Sequence, residues 1–381
     1  MEPQEPRTPE ELAEALGGAV RAGSAVDLYG AGTKRRMAPP DENAAVRIST
    51  RALRQIVEYD PRDLTISVEA GTPFAELVDR LAADGLMLPL DPPFFDRATV
   101  GGVVAAATCG PRRRQYGGVR DAVIGMKFAT VEGKLVETGG MVVKNAAGFD
   151  MAKLMIGSMG TLAGIAVVNF RLAPIPPQTA TFVEQFQTLE EACRRRDEIL
   201  RGVLQPAAID LLNPAGAARV GLDGYCVALQ VEGNVGVIGR YREAFPRSEM
   251  LAGGEERGLW ERIREFVPGF LEENAGGGTV RVSTTIQGAG AALERLGDRP
   301  AVARAGSGVV YGCFEDCEGA CGWVRDAAEA GIRAVVEFIG SDGCTGERWP
   351  AAGSDFTLME RIKRMFDPEG RLNRGKLYGR I

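Results

Sequence analysis

Glycine is concentrated between Ala98 and Pro174, and this stretch most constrains what the chain can fold into. Glycine makes up 50 of the 381 residues, near twice the usual share of about 7%, without a repeat that would absorb the excess. Where glycines cluster, main-chain N–H groups can approach a ligand because no Cβ stands in the way. A turn between strands is the alternative reading of any single glycine. The set as a whole predicts a surface that binds a phosphate-bearing cofactor.

Length and charge exclude several classes of protein. With 381 residues the chain exceeds a typical domain of about 100–200 residues, so we expect two domains. The net charge of −6 argues against a general binder of nucleic acids or anionic membranes. The sequence has neither a spanning run of about 18 apolar residues nor the pattern of a signal peptide. We therefore expect a cytoplasmic protein.

Histidine is absent, and its absence restricts the chemistry. The chain has no imidazole to bind a metal, to act as a general base or to link a flavin covalently. Its seven cysteines, an odd number without an export signal, are expected to be reduced thiols. Cys313, Cys317 and Cys321 recur every four residues, which on a helix would bring three sulfurs to one side. We favour ordinary thiols over a cluster or metal, and predict no metal site, because iron–sulfur ligation more often uses tighter spacing and a fourth cysteine.

The N-terminal part of the chain predicts alternating helices and strands. Thr8-Pro9-Glu10-Glu11 is a capping box that begins a helix, and Val26 to Tyr29 predicts a strand. The strand enters the loop Gly30 to Lys34, whose N–H groups suit an anion, with a plain turn as the alternative. Arg35, Arg36 and prolines follow instead of a third glycine and a helix, so the loop is not a Rossmann fingerprint. Leu53, Ile56 and Val57 suggest a further helix.

Prolines at 174, 176 and 177 mark a change of composition. We place a first domain at residues 1–177, a second at 178–345 and a C-terminal segment at 346–381. The segment Gly370 to Lys376 spells a phosphate-loop pattern, but Leu377 replaces the hydroxyl residue that would hold magnesium, so we reject that reading. The run Arg112 to Arg114 either steadies a pyrophosphate or a partner's acidic patch, or is a solvated turn.

Together these segments resemble the FAD-binding oxidoreductases of the vanillyl-alcohol oxidase and p-cresol methylhydroxylase (PCMH-type) superfamily, and within it the FAD-binding E subunits of bacterial glycolate oxidases. Two positions depart from the family pattern: Ala163 replaces a glycine and Arg374 replaces a proline. The resemblance rests on Tyr29 to Lys34, Val68 to Pro73, Leu88 to Pro93, Thr99 to Gly102, Gly110 to Arg113, Val119 to Asp121, Lys144 to Asp150, Gly157 to Leu162, Phe366 to Pro368 and Asn373 to Tyr378.

The resemblance implies an α+β protein. Its PCMH-type FAD-binding domain would have two subdomains, with an α+β cap domain and a C-terminal segment that returns to the FAD domain. FAD would bind non-covalently, with its pyrophosphate near Gly30 to Lys34 and Thr99 to Gly102. Its flavin would lie near residues 108–121 and its adenine near residues 164 and 165. The residues assigned to FAD are Gly30, Ala31, Gly32, Thr33, Lys34, Thr99, Val100, Gly101, Gly102, Thr108, Cys109, Gly110, Gly117, Gly118, Asp121, Gly164 and Ile165.

Two functions agree with this resemblance. The first is an electron-handling FAD subunit of a glycolate oxidase-like complex, with a larger FAD-binding partner that oxidises the 2-hydroxy acid and an iron–sulfur partner that carries electrons towards the inner membrane face. The alternative is a self-sufficient FAD-dependent D-lactate or glycolate dehydrogenase. That enzyme needs a base for the hydroxyl proton, and the sequence nominates no catalytic residue. We therefore favour the subunit.

Overall fold

The computed structural model describes residues 2–38, 41–141 and 150–381. Within the predicted segment Lys144 to Asp150, all residues except Asp150 lie outside the described residues. The chain forms two compact units. The first consists of Met1–Cys109, Gly117–Ile175 and Ala352–Ile381, and the second of Gly110–Tyr116 and Pro176–Ala351. Residues 110–116, which the sequence analysis placed in the first domain, thus belong to the second unit.

Helices and strands alternate along most of the described chain. The helices are α1 (Pro9–Arg21), α2 (Phe74–Ala82), α3 (Val100–Ala106), α4 (Arg113–Tyr116), α5 (Val119–Ala122), α6 (Ala152–Met155), α7 (Leu189–Arg201), α8 (Pro214–Arg219), α9 (Val235–Ala244), α10 (Gly253–Arg264), α11 (Phe266–Glu273), α12 (Ala289–Leu296), α13 (Cys317–Glu329) and α14 (Ser354–Phe366), with short 3-10 helices at Thr33–Arg36 and Thr50–Ala52. The strands are β1 (Val26–Tyr29), β2 (Val46–Ser49), β3 (Ile56–Asp60), β4 (Thr65–Glu69), β5 (Leu86–Met87), β6 (Val123–Ala129), β7 (Leu135–Gly139), β8 (Gly164–Arg171), β9 (Ala173–Pro174), β10 (Gln178–Phe186), β11 (Ala208–Leu212), β12 (Tyr225–Gly233), β13 (Glu249–Leu251), β14 (Gly278–Ser283), β15 (Ala301–Arg304), β16 (Val309–Phe314) and β17 (Arg333–Ile339). None of the helices in the described ranges is long and apolar enough to span a bilayer.

A five-stranded antiparallel sheet, in the order β3-β4-β8-β6-β7, forms the centre of the first unit. Successive residues of a strand point to opposite faces. Val168 packs in a core with residues of α2 and α3, whereas its neighbour Val167 packs with residues of α1 and β1. Both faces of the sheet are therefore covered, which explains why all five residues of β4 are buried instead of alternating.

A smaller parallel pair, β1 and β2, lies beside α1 in the same unit. The C-terminal tail joins this pair through a parallel bridge between Val26 and Leu372. The N–H of Val26 donates to the carbonyl of Arg371 at 2.8 Å, and the N–H of Asn373 donates to the carbonyl of Val26 at 2.9 Å. The tail thus lies directly beside the strand that leads into the Gly30 to Lys34 loop.

The helix suggested by Leu53, Ile56 and Val57 is wrong. Ile56 and Val57 begin the edge strand β3, which pairs with β4. Their side chains are 42% and 56% exposed, so they are not the buried stripe of an amphipathic helix. Both are β-branched, and such residues favour strands over helices. The helix at Pro9 and the strand at Val26 are confirmed.

The second unit is built on an eight-stranded sheet in the order β13-β10-β12-β11-β15-β16-β14-β17, and every neighbouring pair is antiparallel. Helices α7, α9, α12 and α13 cover one face, where Phe182 and Leu211 are buried. Thr181 immediately precedes Phe182 on β10 and points to the opposite face of the sheet. Its hydroxyl accepts a hydrogen bond from the indole N–H of Trp260 in α10. This mixture of helices and antiparallel sheets confirms the α+β class.

Two of the seven cysteines differ from the expectation of reduced thiols, and the other five are free. Cys317 and Cys344 form a disulfide with an S–S distance of 2.03 Å. Cys313 lies on strand β16, so the four-residue spacing does not place three sulfurs on one helix. Cysteine spacing alone could not reveal this pair, because Cys344 follows β17 and lies near α13 only when β17 packs beside that helix.

Candidate cofactor-binding site

A cleft in the first unit brings together most of the segments predicted to bind a phosphate. Its volume is about 720 Å³ including the open mouth, within the range of small-molecule sites. Five parts of the chain line it: the end of β1 with the loop after it, Thr50, the start of α3 with Thr99, residues between 159 and 165, and the tail at Asn373 and Lys376. These parts are distant in sequence and meet only in the folded unit.

The loop after β1 forms one wall of the cleft, and Gly30, Ala31, Gly32, Thr33 and Lys34 all line it. Gly32 has a φ of +80°, which suits glycine, and it leads into the short 3-10 helix. A Cβ on Gly30 would lie 2.1 Å from Oγ1 of Thr99. Glycine at position 30 therefore permits the close approach of the two segments.

The segment that begins α3 forms the facing wall. Thr99, Gly101 and Gly102 line the cleft, whereas Val100 is fully buried in the core behind it. Oγ1 of Thr99 accepts a hydrogen bond from the N–H of Gly102 at 3.3 Å. A Cβ on Gly101 would lie 2.7 Å from the Cβ of Ala70, but one on Gly102 would meet only Thr99 Oγ1, at 3.1 Å. Gly101 thus serves packing, and Gly102 keeps space open on the cleft side.

Positive charge predominates in the cleft. Nζ of Lys34 donates to the carbonyl of Pro93 at 2.9 Å. Arg35 and Lys376 both pair with Asp27, which is fully buried, at 2.6 and 3.1 Å. Lys34, Arg35 and Lys376 line the cleft, and no acidic residue is among its lining residues in the described part of the chain. Asp27 and Asp41 both act on Lys376 from behind, and burial lowers the pKa of Lys376. The excess of positive charge favours an anionic ligand.

Asn373 ties the C-terminal tail to two walls of the cleft. Its Oδ1 accepts from the N–H of Leu28 at 2.7 Å. Its Nδ2 donates to the carbonyls of Leu28 at 3.0 Å and Met159 at 2.9 Å. A Cβ on Gly160 would lie 2.7 Å from this Nδ2, so glycine is needed at that position. The amide of Asn373 uses three hydrogen bonds to set the spacing of these segments.

Two residues were predicted on the adenine side. Ile165 lines the cleft, as does Ala163. Gly164 stands between them at the start of β8, and a Cβ there would lie 3.1 Å from Leu28 Cδ2. The position is buried against the core beneath β1. Ala163, where the family pattern has glycine, is buried and contributes to the lining of this cleft.

The residues predicted on the flavin side do not line this cleft. Oγ1 of Thr108 is buried and has no hydrogen-bond partner among the described residues. Sγ of Cys109 donates to the carbonyl of Ala107 at 3.5 Å, and Gly110 belongs to the second unit. The assignment of these residues to the flavin stays a prediction.

Gly117, Gly118 and Asp121 form a compact turn at the start of α5. Oδ2 of Asp121 accepts from the N–H of Gly118 at 2.8 Å. Gly117 has a φ of +79°, and a Cβ there would lie 2.5 Å from the same carboxylate. Their predicted part in flavin binding also stays a prediction, because the carboxylate already has a structural use.

The arginine run does not line the cleft, and Arg112 and Arg114 are part-buried, whereas Arg113 is exposed. Arg112 lies 3.9 Å from the carboxylate of Glu232, and Arg114 donates to the side-chain carbonyl of Gln205. The hydroxyl of Tyr116 also donates a hydrogen bond to the carboxylate of Glu232. Residues 110–116 are thus held by polar contacts within the second unit.

The cleft fits the diphosphate part of a dinucleotide. Gly30 lets the loop after β1 approach Thr99, and Gly102 keeps space open on the cleft side. Beside the lining residue Met159, Oγ of Ser158 is buried without a hydrogen-bond partner among the described residues. Uncovered N–H groups, lysine and arginine are the usual partners of phosphate oxygens.

Sequence reasoning missed part of the site. Arg35, Met159 and Gly160 line the cleft but were not assigned to FAD, and neither were Asn373 and Lys376. The segment Asn373 to Tyr378 carried a signal because it belongs to the resemblance. Its place beside β1 follows from tertiary contacts that no local pattern encodes.

Comparisons with known proteins agree with this geometry. Residues 4–139 match the family of the FAD binding domain, and residues 351–377 match the C-terminal domain of FAD linked oxidases. The 4-ethylphenol oxidase from Gulosibacter chungangensis has the same fold, with a TM-score of 0.74 at 16% identity over 98% of this chain and 88% of that one. At this identity the likeness concerns the fold alone.

Three curated relatives illustrate the range of similarity. The glycolate oxidase subunit GlcE of Escherichia coli (strain K12) is 30% identical over 88% of this chain and 87% of its own length. The glycolate oxidase subunit GlcD of Bacillus subtilis (strain 168) is 30% identical over 42% of this chain and 34% of its own length. The mitochondrial D-lactate dehydrogenase [cytochrome] of Arabidopsis thaliana is 30% identical over 55% of this chain and 36% of its own length.

The match to GlcE extends over nearly the whole of both chains, and it agrees with the cleft, with the two family matches and with the PCMH-type fold. The chain therefore belongs to the PCMH-type family of FAD-linked oxidases that includes the glycolate oxidase subunit GlcE, and its cofactor is FAD.

Proposed function

We propose that the chain is the electron-handling FAD subunit of a glycolate oxidase-like complex that oxidises the CH–OH group of 2-hydroxy acids. A larger FAD-binding subunit removes the hydride, and an iron–sulfur subunit carries the electrons onward to the membrane face. The observation that carries the proposal is the extent of similarity. The match to GlcE covers 88% of this chain, whereas those to GlcD and the plant D-lactate dehydrogenase cover 42% and 55%.

The composition of the second unit supports this role. A dehydrogenase that acts alone needs a base for the hydroxyl proton of its substrate, and such a base contributes about 10²–10⁴-fold to the rate. The sequence of residues 176–351 contains neither histidine nor lysine. A base in this unit would have to be a carboxylate, a tyrosine or a cysteine.

The electrostatics of the second unit disfavour its thiols and its buried phenol as bases. Burial raises the pKa of Cys226 to about 12 and that of Tyr241 to about 12. Burial also raises the pKa of Cys193 and of Cys313. At neutral pH these groups keep their protons, so they cannot accept one from a substrate.

Buried and part-buried carboxylates of the second unit already have structural partners. Asp210 accepts from Arg304, and Glu184 pairs with Arg195 at 2.6 Å. Glu256 accepts from the hydroxyl of Thr179 at 2.6 Å. Taking a substrate proton would neutralise Asp210 or Glu184 and weaken its ion pair with arginine, which disfavours these two carboxylates as catalytic bases.

FAD, when bound, supplies the capacity to accept and release electrons. The residues of the chain have a different task, which is to bind and orient the cofactor. Lys34 and Arg35 would supply positive charge to the diphosphate, the loop Gly30 to Lys34 would offer its main chain, and Gly102 would leave space for the cofactor. Asn373 fixes the width of the cleft.

Anaerobic flavin reduction tests the proposal. The purified FAD-loaded chain is mixed with glycolate or D-lactate, and the flavin absorbance is followed with time. We expect slow bleaching or none, and rapid bleaching once the larger flavin subunit is added. Dithionite serves as the control, because it must bleach the same flavin directly. Rapid bleaching by a 2-hydroxy acid with this chain alone would reject the subunit role and support the self-sufficient dehydrogenase.

A further inference from the structure

Three sulfur atoms converge in the second unit. The Sγ atoms of Cys317, Cys321 and Cys344 all lie within 4.8 Å of one another. Cys317 and Cys344 are joined as the disulfide, and Sγ of Cys321 lies 3.6 Å from Sγ of Cys344. We propose that the reduced protein binds one zinc ion through these three sulfurs, and that the Cys317–Cys344 disulfide is the metal-free, oxidised state of the same site.

Helix α13 presents two of the sulfurs on one side. Cys317 is its first residue, and Cys321 follows one turn later, a spacing that places both side chains on the same face. Oδ1 of Asp316 accepts from the N–H of Gly319 at 2.5 Å and caps the helix. The N–H of Cys317 donates to the carbonyl of Gly276 at 2.9 Å. These contacts hold the helix start independently of the disulfide.

The third sulfur comes from the segment after β17, which main-chain hydrogen bonds hold on both sides of Cys344. Before it, the N–H of Asp342 donates to the carbonyl of Ala275 at 3.0 Å. After it, the carbonyl of Arg348 accepts from the N–H of Val336 at 2.9 Å. Cys344 therefore remains near α13 when the disulfide is reduced.

The distances suit a zinc ion. Zn–S bonds of about 2.3 Å in tetrahedral geometry separate the sulfurs by about 3.8 Å. The sulfurs of Cys321 and Cys344 are already 3.6 Å apart. The Cα atoms of Cys317 and Cys344 are 5.7 Å apart, so rotation of the two side chains can separate their sulfurs after reduction. Water takes the fourth position.

The chemical balance of the change is simple. A dithiol reductant gives two electrons and two protons to the S–S bond and itself becomes a disulfide. The protein then has three thiols at the site. Zinc binds them as thiolates and releases their three protons to the solvent. Thiolate sulfur selects zinc over the hard ions magnesium and calcium.

The surroundings leave room for the ion, and the charged side chains around it are of both signs. Three thiolates and a zinc ion carry a net charge of −1, by the arithmetic of three negative charges and two positive charges. Arg325 and Arg348 act on Cys321 as positive charges, opposed by the carboxylates of Glu318 and Glu347. A Cβ on Gly346 would lie 2.8 Å from Sγ of Cys321 and 4.0 Å from Sγ of Cys344, so glycine keeps this side of the sulfurs open.

Metal titration of the full FAD-loaded chain tests the site. The protein is reduced with a dithiol, desalted anaerobically and titrated with Cd²⁺, whose bonds to thiolates absorb in the ultraviolet. Zn²⁺ affinity is then measured by competition with a chromophoric chelator. We expect one ion per chain after reduction and none before it. Reduced protein that binds no metal at this stoichiometry overturns the proposal.

Cys321→Ser is the decisive variant, because it leaves the disulfide intact and so preserves the fold of the oxidised protein. Losing a residue that hydrogen-bonds to a metal ligand weakens metal binding about 10–100-fold. Losing a sulfur that binds the metal directly should therefore weaken Zn²⁺ binding by at least about 100-fold. The matched control is Cys193→Ser, in the same unit but outside the cluster, which should leave the affinity unchanged. Equal affinities in the two variants would reject the site.

Discussion

Replacing Asn373 by alanine should open the FAD cleft and destabilise the first unit. The amide makes three hydrogen bonds, from the N–H of Leu28 and to the carbonyls of Leu28 and Met159. Each such bond is worth about 1 kcal/mol net, for a loss of about 3 kcal/mol. Asn373 also has a φ of +46°, where alanine costs about 1 kcal/mol more. We expect a total near 4 kcal/mol.

The change in stability is measured by urea unfolding of the FAD-free protein, followed by circular dichroism. FAD binding is measured separately by fluorescence titration. Leu28 and Met159 both line the cleft, so movement of these residues changes the contacts with FAD. A loss of about 1.4 kcal/mol of binding free energy weakens affinity about tenfold. We expect at least this weakening in Asn373→Ala.

The neighbouring variant Arg374→Ala is the control. Arg374 pairs with Asp41 at 2.7 Å, and its own side chain is 40% exposed. Ion pairs of this exposure contribute up to about 1 kcal/mol, so this variant should stay close to the wild type. A change below about 1 kcal/mol in Asn373→Ala, with unchanged FAD affinity, would show that the amide does not set the width of the cleft.

Three further predictions concern the cofactor and the second unit. Gly102→Val should abolish FAD retention and preserve the fold, because the valine side chain enters the cleft. Gly101→Val should abolish FAD retention and also lower the melting temperature, because position 101 packs on Ala70. Equal melting temperatures of the two variants would refute this distinction. Acid precipitation should leave the yellow colour in the supernatant, because the chain has no histidine to link the flavin, and coloured pellets would contradict non-covalent binding. Burial raises the pKa of the Glu256 carboxyl group above its ordinary value. Between these two pKa values the folded state binds more protons than the unfolded state, so the free energy of unfolding falls as the pH rises. Glu256→Gln should therefore gain stability relative to the wild type as the pH rises above the ordinary glutamate pKa of about 4.3, measured by urea unfolding, and a difference that does not change with pH would count against this cause.

Local sequence patterns predicted the elements whose signals lie within a few residues. Thr8 and Glu11 define the start of α1, and its side-chain contact is present in the structure. The edge strand β3 was missed because an exposed β-branched pair was read as part of a helical stripe. Exposure depends on which strand lies at the edge of a sheet, and this information is not local.

The candidate site shows the same limit. Gly30 and Gly102 were recognised because glycine density is visible in the sequence. The roles of Gly101 and Val100, which pack against the core, depend on what lies behind α3. Asp27 and Lys376 are separated by most of the chain, and the pairing of such distant residues follows only from the complete fold.

The position of Asn373 and Lys376 in the chain also has a consequence for biosynthesis. Both line the cleft, but the ribosome makes them only after the whole of Pro176–Ala351. A nascent chain can form β1 and its loop early, since domains fold as they emerge. It still lacks the amide that spaces the walls and the ammonium group beside Asp27. Capture of FAD is therefore expected after translation has passed residue 376, which makes cofactor loading a late step in the maturation of this protein.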